Sequence, residues 1–149
     1  MNKIIVKSRR ETELMPAYSV SWAAISITDT DAPDARMPTR NRVGLLRLKF
    51  DDITVPMQDW TAFGTEDARR ILEFAASVWD KADILLVHCE AGISRSAGTA
   101  AAPSPIYFGD DAEVFLPPYR PNTLVYNTIL NTTSPLIGAQ NHVRLSRRT

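Results

Sequence analysis

The sequence contains one cysteine, no net charge and no long apolar run. Cys89 has no second cysteine to pair with, so an intrachain disulfide framework is excluded and a reducing compartment is expected. The 17 basic and 17 acidic residues cancel, whereas nucleic-acid and membrane-surface proteins usually carry a basic excess. No apolar stretch reaches the roughly 18 residues of a membrane span, and the first residues show no secretory pattern. We therefore expect a cytoplasmic protein with no nucleic-acid or membrane partner.

The length and the hydrophobic content favour one folded domain over residues 1–149. A polar, irregular tail is expected from about residue 135. Basic residues are concentrated in residues 1–50, and acidic residues are concentrated in residues 51–90. The acidic block coincides with a predicted amphipathic helix, so we interpret it mainly as a solvated helix face and not as an acidic surface near a site.

Short apolar runs alternate with amphipathic segments, which predicts an α/β protein. Strands are predicted at residues 4–6, 18–28, 45–50 and 84–87, and the last has the continuous apolar character of a central strand. Thr65 is the expected N-cap of a helix that continues to Trp79. Two further helices are predicted at residues 94–102 and 122–130, and Pro103 and Pro105 should end the first of them early.

The segment from His88 to Ser96, His-Cys-Glu-Ala-Gly-Ile-Ser-Arg-Ser, joins the predicted central strand to the next helix. A phosphate monoester needs inward-pointing donors, a fixed positive charge, a nucleophile and a proton for the leaving oxygen. The five residues between Cys89 and Arg95 allow successive amides to surround one tetrahedral anion. Gly92 permits the backbone conformation that such a loop requires, and the helix that follows adds its positive end.

The side chains of this segment fit the same chemistry. Arg95 can hold two phosphate oxygens with its guanidinium fork. Cys89 would lie beneath the phosphorus as a thiolate, and Ser96 can donate its hydroxyl to that sulfur. His88 is better placed to orient the loop than to touch substrate. A lone cysteine after an apolar strand is usually a small hydrophobic residue, but the combination of these four side chains with Gly92 favours a phosphate site.

The pattern His-Cys-x-x-Gly-x-x-Arg-Ser resembles the signature of the protein tyrosine phosphatase superfamily. The version here is most similar to the dual-specificity and the bacterial or phage-type members, over about Leu45 to Ala102. The resemblance implies an α/β fold with a central mixed, mostly parallel sheet flanked by helices, and a phosphate-binding loop between a central strand and a helix. It also implies a cysteinyl-phosphate mechanism that uses no metal and no other cofactor.

Site residues follow from the resemblance by position. Cys89 matches the nucleophile, Arg95 the phosphate-binding arginine and Ser96 the hydroxyl that assists breakdown of the intermediate, with His88 in support. The substrate-binding backbone matches the loop residues Glu90, Ala91, Gly92, Ile93, Ser94 and Arg95.

The general acid of this family is an aspartate on a loop before the cysteine. Asp52 follows the alternating segment Leu-Arg-Leu-Lys-Phe and is our first choice, with Asp59 and Asp51 as alternatives. An aspartate at a strand end is otherwise most often a turn former or a cap, so the identity of the acid stays open here.

Three functions are consistent with the sequence. The first is hydrolysis of phosphotyrosine in proteins, and whether phosphoserine and phosphothreonine are also substrates is left open. The second is the same chemistry on a small phosphomonoester or on an RNA 5′ phosphate, and the third is a phosphate-recognition module with little turnover. Glu90 stands where phosphoinositide-directed members of the family tend to carry lysine, which argues against a highly anionic lipid head group. The oligomeric state is left open.

Overall fold

The structure, a computed structural model, describes residues 1–101 and 118–132. The predictions for Pro103, Pro105 and the tail from about residue 135 lie outside these residues. Along the chain the elements are β1 (Lys3–Ser8), α1 (Arg9–Leu14), β2 (Trp22–Thr28), β3 (Arg42–Lys49), α2 (Thr65–Val78), β4 (Ile84–Cys89) and α3 (Arg95–Ala101). Residues 123–132 are also helical and are called α4. Within the described ranges, no helix has the length and apolar character needed to cross a membrane.

The four strands form one sheet in the order β1-β4-β2-β3. Every pairing is parallel, so the predicted α/β class with a sheet flanked by helices is confirmed, and all of the described strands run in one direction. All residues of β2 and β4 are buried, as expected for central strands covered on both faces. Because the strands are parallel, their carboxyl ends meet at one edge of the sheet, where open α/β sheets bind ligands.

The two faces of the sheet bury different sets of side chains. One face packs against α2, α3 and α4 in the main core, which includes Ile25, Ile27, Leu85 and Val87 from the strands and Ile71, Val78, Ala100, Val125 and Ile129 from the helices. The opposite face buries a smaller cluster made of Trp22, Ala24, Ile84 and Leu86 under Met15, Tyr18 and Met37. The helices on the first face therefore fix where α3, and with it the loop that precedes α3, lies relative to β4.

Several element boundaries differ from the sequence-based predictions by one to four residues, and two of them have a clear local cause. β2 begins at Trp22 and not at residue 18; Tyr18 instead packs edge-on against the Trp22 ring, with centroids 5.6 Å apart. The N-cap of α2 is Gly64 and not Thr65, which is the first helical residue. The Asp67 carboxylate accepts a hydrogen bond from the Gly64 amide at 3.0 Å. This bond pairs the amide at the helix start, so the helix begins one residue after Gly64.

The short helix α1 was not predicted at all. Ser8 accepts from the Glu11 amide at 3.1 Å, and the Glu11 carboxylate accepts from the Ser8 amide at 3.0 Å. This reciprocal capping box is visible in the sequence as Ser-x-x-Glu. It was missed because six residues are too few to show a helical repeat of apolar side chains.

Candidate active site

The loop of residues 90–94 follows Cys89 at the end of the central strand β4 and leads into α3 at Arg95. The predicted order of strand, loop and helix is therefore present. The neighbouring strands β1, β2 and β3 end at the same edge of the sheet, and the segments that follow them surround the loop. The site is thus built from four chain segments that are far apart in the sequence.

Neighbouring segments hold the loop backbone by its carbonyl groups. Three amides donate to it: Arg9 N to Glu90 O at 3.1 Å, Arg120 N to Ile93 O at 2.9 Å and Asn122 N to Ser94 O at 3.0 Å. In a planar trans peptide the N–H points opposite to the C=O. The amides of the next residues, Ala91, Ser94 and Arg95, therefore point to the inner side of the loop, as a phosphate nest requires.

Gly92 is required by the shape of the loop. Its φ is +71°, in the left-handed region that favours glycine. A Cβ there would lie 2.6 Å from the carbonyl carbon of Lys7 and from the amide nitrogen of Ser8, so the backbone at the end of β1 leaves no room for a side chain. The Gly92 amide also donates toward Cys89 Sγ at 3.3 Å.

Cys89 lies at the bottom of the loop and is almost fully buried. Its Sγ is 3.1 Å from Ser96 Oγ, and the Gly92 amide is its second polar neighbour. Both contacts can donate a hydrogen bond to the sulfur. The predicted contact between Ser96 and the sulfur is therefore present in the structure.

Arg95 is only 5% exposed, and the hydrogen bonds of its guanidinium are made by one nitrogen, Nη1. Its Nη1 donates to Asp29 Oδ1 at 2.7 Å and to Phe50 O at 2.8 Å. Its Nε is buried and has no hydrogen-bond partner among the described residues. A buried N–H without a partner costs roughly 1–3 kcal/mol, so an unpaired guanidinium nitrogen next to the loop is a mark of a site for an anion.

His88 is buried between the sheet and the loop. Its Nδ1 lies 3.3 Å from Cys89 O and its Nε2 lies 2.6 Å from Ser26 Oγ. Burial lowers the pKa of His88 below its usual value, so the ring is neutral at pH 7. A carbonyl can only accept, which assigns the proton to Nδ1 and makes Nε2 the acceptor for the Ser26 hydroxyl. Both ring nitrogens of His88 are therefore occupied, one by the Cys89 carbonyl and one by the Ser26 hydroxyl. The ring fixes the backbone at Cys89.

The three candidate general acids have different surroundings. Asp52 is exposed, and its Oδ1 accepts from Ser94 Oγ at 2.9 Å and from Asn122 Nδ2 at 2.9 Å. The first bond ties Asp52 to the loop of residues 90–94, and the second ties it to the residue before α4. Both bonds fall on Oδ1, so Oδ2 accepts no hydrogen bond from the described residues.

Asp51 is buried and strongly hydrogen-bonded, in contrast to Asp52. The Thr61 amide donates to its Oδ2 at 2.8 Å, and the Thr30 hydroxyl donates to both of its oxygens. The Thr61 amide, followed by the Thr30 donors and the charge of Arg95, holds the pKa of Asp51 below its usual value. Asp59 is exposed and has a φ of +66°, which aspartate tolerates in turns.

A cleft of about 580 Å³ opens over Arg95, and we call it the Arg95 cleft. It is lined by Asp29, Thr30, Asp31, Asp51, Asp52, Asp59, Trp60 and Arg95. The expectation that the acidic block is mainly a solvated helix face therefore needs a correction. Glu66 and Glu73 do lie on the exposed face of α2, but the aspartates of residues 51–59 border the cleft together with two from the loop after β2.

Three residues of the site were not identified from the sequence. Asp29 holds Arg95, Ser26 holds His88, and Asn122 links the Asp52 segment to the loop. Ser26 lies in β2, which reads only as β-rich sequence, and Asp29 directly follows that strand. A single polar residue at either place carries no local signal. Asn122 was predicted only as part of a helix, although asparagine before an apolar helical repeat is a recognisable N-cap.

Similarity to known proteins is found in structure and not in sequence. No protein-family model and no curated protein matches the sequence. Human DUSP28 matches in structure at 18% identity and a TM-score of 0.59, over 91% of this chain and 94% of that one. PTPMT1 solved in complex with PI(5)P matches at 17% identity and a TM-score of 0.58, over 93% and 94% of the two chains. The human tyrosine phosphatase-like serine/threonine/tyrosine-interacting protein matches at 21% identity and a TM-score of 0.54, over 79% of each chain.

These structural matches confirm the fold that the loop pattern implied. The chain has the fold of the dual-specificity members of the protein tyrosine phosphatase superfamily. Identities of 17–21% establish the fold alone, so the chemistry has to be argued from the side chains of the site.

Proposed function

We propose that this protein hydrolyses phosphate monoesters through a cysteinyl-phosphate intermediate on Cys89. The main substrate class is protein phosphotyrosine, together with phosphoserine and phosphothreonine. The observation that carries this proposal is the buried Arg95 guanidinium beside a loop that holds a buried thiol. Its Nε has no hydrogen-bond partner in residues 1–101 and 118–132. Most buried side-chain nitrogens in folded proteins have a hydrogen-bond partner, so an unpaired one beside this loop calls for a ligand.

The bound phosphate would take its donors from the loop. The inward amides of Ala91, Ser94 and Arg95 supply backbone hydrogen bonds, and the guanidinium supplies the fixed charge. Asp29 and Phe50 O occupy Nη1 and fix the plane of the guanidinium, so that Nε faces the anion. Asp29 is therefore a positioning residue for Arg95.

The first step forms the sulfur–phosphorus bond. The Cys89 thiolate attacks phosphorus, the ester P–O bond breaks, and a proton from Asp52 neutralises the leaving oxygen. Asp52 is favoured over Asp51 because hydrogen bonds keep Asp51 ionised and direct its oxygens into the protein. It is favoured over Asp59 because two hydrogen bonds tie it to the loop and to α4.

The second step releases phosphate. Asp52, now a carboxylate, takes a proton from a water molecule that attacks phosphorus, and the S–P bond breaks. The sulfur leaves as a thiolate, and the Ser96 hydroxyl at 3.1 Å donates a hydrogen bond to the negative charge that develops on it. The neutral ring of His88 keeps the loop in place during both steps.

Binding without turnover is the alternative from a different functional class. The fold does not decide against it, because one structural match is named a tyrosine phosphatase-like interacting protein. The side chains favour hydrolysis, since this chain carries a cysteine, an arginine, a serine and an aspartate in the arrangement that both steps need. A small phosphomonoester or an RNA 5′ phosphate would use the same chemistry, but the exposed Trp60 beside the Arg95 cleft offers a wall for an aromatic ester.

Turnover of an aryl phosphate by the purified full chain tests the proposal. We expect hydrolysis of para-nitrophenyl phosphate and of a phosphotyrosine peptide, and unchanged rates after treatment with a strong chelator. Cys89→Ser should abolish turnover and retain binding of inorganic phosphate, because the loop amides and Arg95 remain. Turnover that survives this substitution, or that requires a metal, would contradict the mechanism.

A further inference from the structure

The Arg95 cleft contains an excess of carboxylates. Among the residues that the structure describes, five aspartates line it against a single guanidinium, a formal excess of four negative charges. Nearby cations do not cancel this excess, since both Lys49 and Arg47 pair with Asp34, which is not a lining residue. A cleft that binds a phosphate dianion would not be expected to carry this much negative charge on its walls.

The aspartates of the cleft fall into two groups. Three of them have partners within the protein. Asp29 pairs with Arg95, Asp51 accepts from the Thr61 amide and the Thr30 hydroxyl, and Asp52 accepts from Ser94 and Asn122. Asp31 and Asp59 are exposed, and their side chains form no hydrogen bond or ion pair with any described residue. The first group serves the site itself, whereas the second group is free to meet a substrate at its rim.

These carboxylates do not form a metal site. Throughout residues 1–101 and 118–132, no three His, Cys, Asp or Glu side chains converge closely enough to hold a metal ion. The negative charge is therefore spread along the walls, where it can meet separate cationic side chains. The unpaired Nε of Arg95, buried in the same cleft, marks the position of the phosphate to which such side chains would be adjacent.

We propose that the Arg95 cleft selects phosphoproteins in which lysine or arginine residues flank the phosphorylated residue. This inference rests on the proposed phosphatase function and names its substrate class. The phosphate would occupy the loop under Arg95, while the flanking cations meet Asp31 and Asp59 at the rim. Opposite charges on the cleft and the substrate speed their association, whereas like charges repel. Peptides with acidic residues beside the phosphate, and polyanionic lipid head groups, would therefore bind less well.

Trp60 strengthens this selectivity. Its side chain is 54% exposed, although a tryptophan is usually well buried, and it lines the same cleft as the five aspartates. An indole face attracts lysine and arginine side chains through its ring quadrupole, by roughly 0.5–1 kcal/mol at exposed sites. An aromatic wall with carboxylates beside it suits the long apolar stem and the charged end of these side chains.

A second groove near the loop shows that the acidic character is local. This Arg9 groove has a volume of about 470 Å³ and is lined by Arg9, Arg10, Glu13, Leu14, Arg36 and Glu90. The described residues that line it do not include any that line the Arg95 cleft, and its Arg9 is paired with Glu13 and Glu90. We therefore expect the lysine or arginine residues that flank the phosphorylated residue to bind in the Arg95 cleft and not in the Arg9 groove.

The test compares three phosphotyrosine peptides that differ only in having lysine, glutamine or glutamate at the flanking positions. We expect kcat/KM to fall in that order, with about threefold to tenfold between the lysine and glutamine peptides, as one or two exposed ion pairs give. High salt should compress the differences because the Debye length falls to about 3 Å at 1 M. Asp31→Asn should reduce the preference about twofold. It should leave hydrolysis of para-nitrophenyl phosphate, which has no flanking charged residues, unchanged.

The control is Asp80→Asn, an exposed acidic residue after α2, near the amino-terminal edge of the sheet. It should leave the preference unchanged. Equal kcat/KM for the three peptides, or faster hydrolysis of the glutamate peptide or of a soluble phosphoinositide, would overturn the selectivity while para-nitrophenyl phosphate is still hydrolysed. Loss of para-nitrophenyl phosphate hydrolysis itself would instead overturn the proposed function, and this inference with it.

Discussion

Replacing Asn122 by alanine removes three hydrogen bonds of one side chain. Its Nδ2 donates to Asp52 Oδ1 at 2.9 Å and to Ile53 O at 3.1 Å, and its Oδ1 accepts from Val125 N at 3.1 Å. The last bond caps α4, and loss of such a cap costs about 1 kcal/mol. Leaving the buried Ile53 carbonyl unpaired costs about 1–3 kcal/mol more. We therefore expect the free energy of unfolding to fall by about 2–4 kcal/mol, measured by urea denaturation.

The same substitution should affect catalysis through the general acid. Without the Asn122 amide, Asp52 keeps only its bond to Ser94 and loses part of its fixed position. The kcat for a phosphotyrosine peptide, whose leaving group is poor, should fall about tenfold to a hundredfold. The kcat for para-nitrophenyl phosphate should fall much less, because its leaving group departs without full protonation.

Two further variants separate positioning from capping. Asn122→Ser keeps a good N-cap but is too short to reach Asp52, so it should recover about 1 kcal/mol of stability and share the loss of kcat. Asn127→Ala changes an exposed asparagine on the same helix and should alter neither property. An equal loss of kcat on both substrates, or full activity in Asn122→Ser, would refute the positioning role of Asn122.

Three other predictions follow from the site. Asp52→Asn should lower kcat for phosphotyrosine peptides by about 10²-fold or more, whereas Asp59→Asn should not; the reverse result assigns the acid to Asp59. Gly92→Ala should abolish phosphate binding measured by calorimetry, since both φ and the nearby β1 backbone exclude a side chain; retained binding would contradict the loop geometry. Stability should fall as the pH drops below about 6.5, because burial depresses the pKa of His88 and the unfolded chain binds that proton first. His88→Asn should flatten this dependence in urea titrations, and an unchanged pH profile would contradict it.

The residues that could be predicted from the sequence are close together in the chain. Between Cys89 and Ser96 the nucleophile, the arginine, the glycine and the hydroxyl have fixed spacing, so one local pattern contains most of the candidate chemistry. The apolar run before Cys89 and the amphipathic repeat of α2 are also local signals, and both elements are present. The α/β class follows from such elements without knowledge of any long-range contact.

What could not be predicted depends on contacts between distant segments. Asp29 meets Arg95 across 66 positions of the chain, and Asn122 meets Asp52 across 70. Nothing in the composition of either segment indicates these pairs, because they arise from the parallel order of the strands. The same holds for the charge of the Arg95 cleft: the aspartates after β2 and after β3 become neighbours only when both strands end at one edge of the sheet.

The most direct test of the central claim is to trap the intermediate. Ser96→Ala should slow breakdown more than formation, so a phosphotyrosine peptide mixed with this variant and quenched in acid should leave phosphate on the chain. We predict that peptide mapping by mass spectrometry places the phosphate on Cys89, and that Cys89→Ser carries none. Steady turnover with no phosphate on Cys89, or with phosphate on another side chain, would contradict the account.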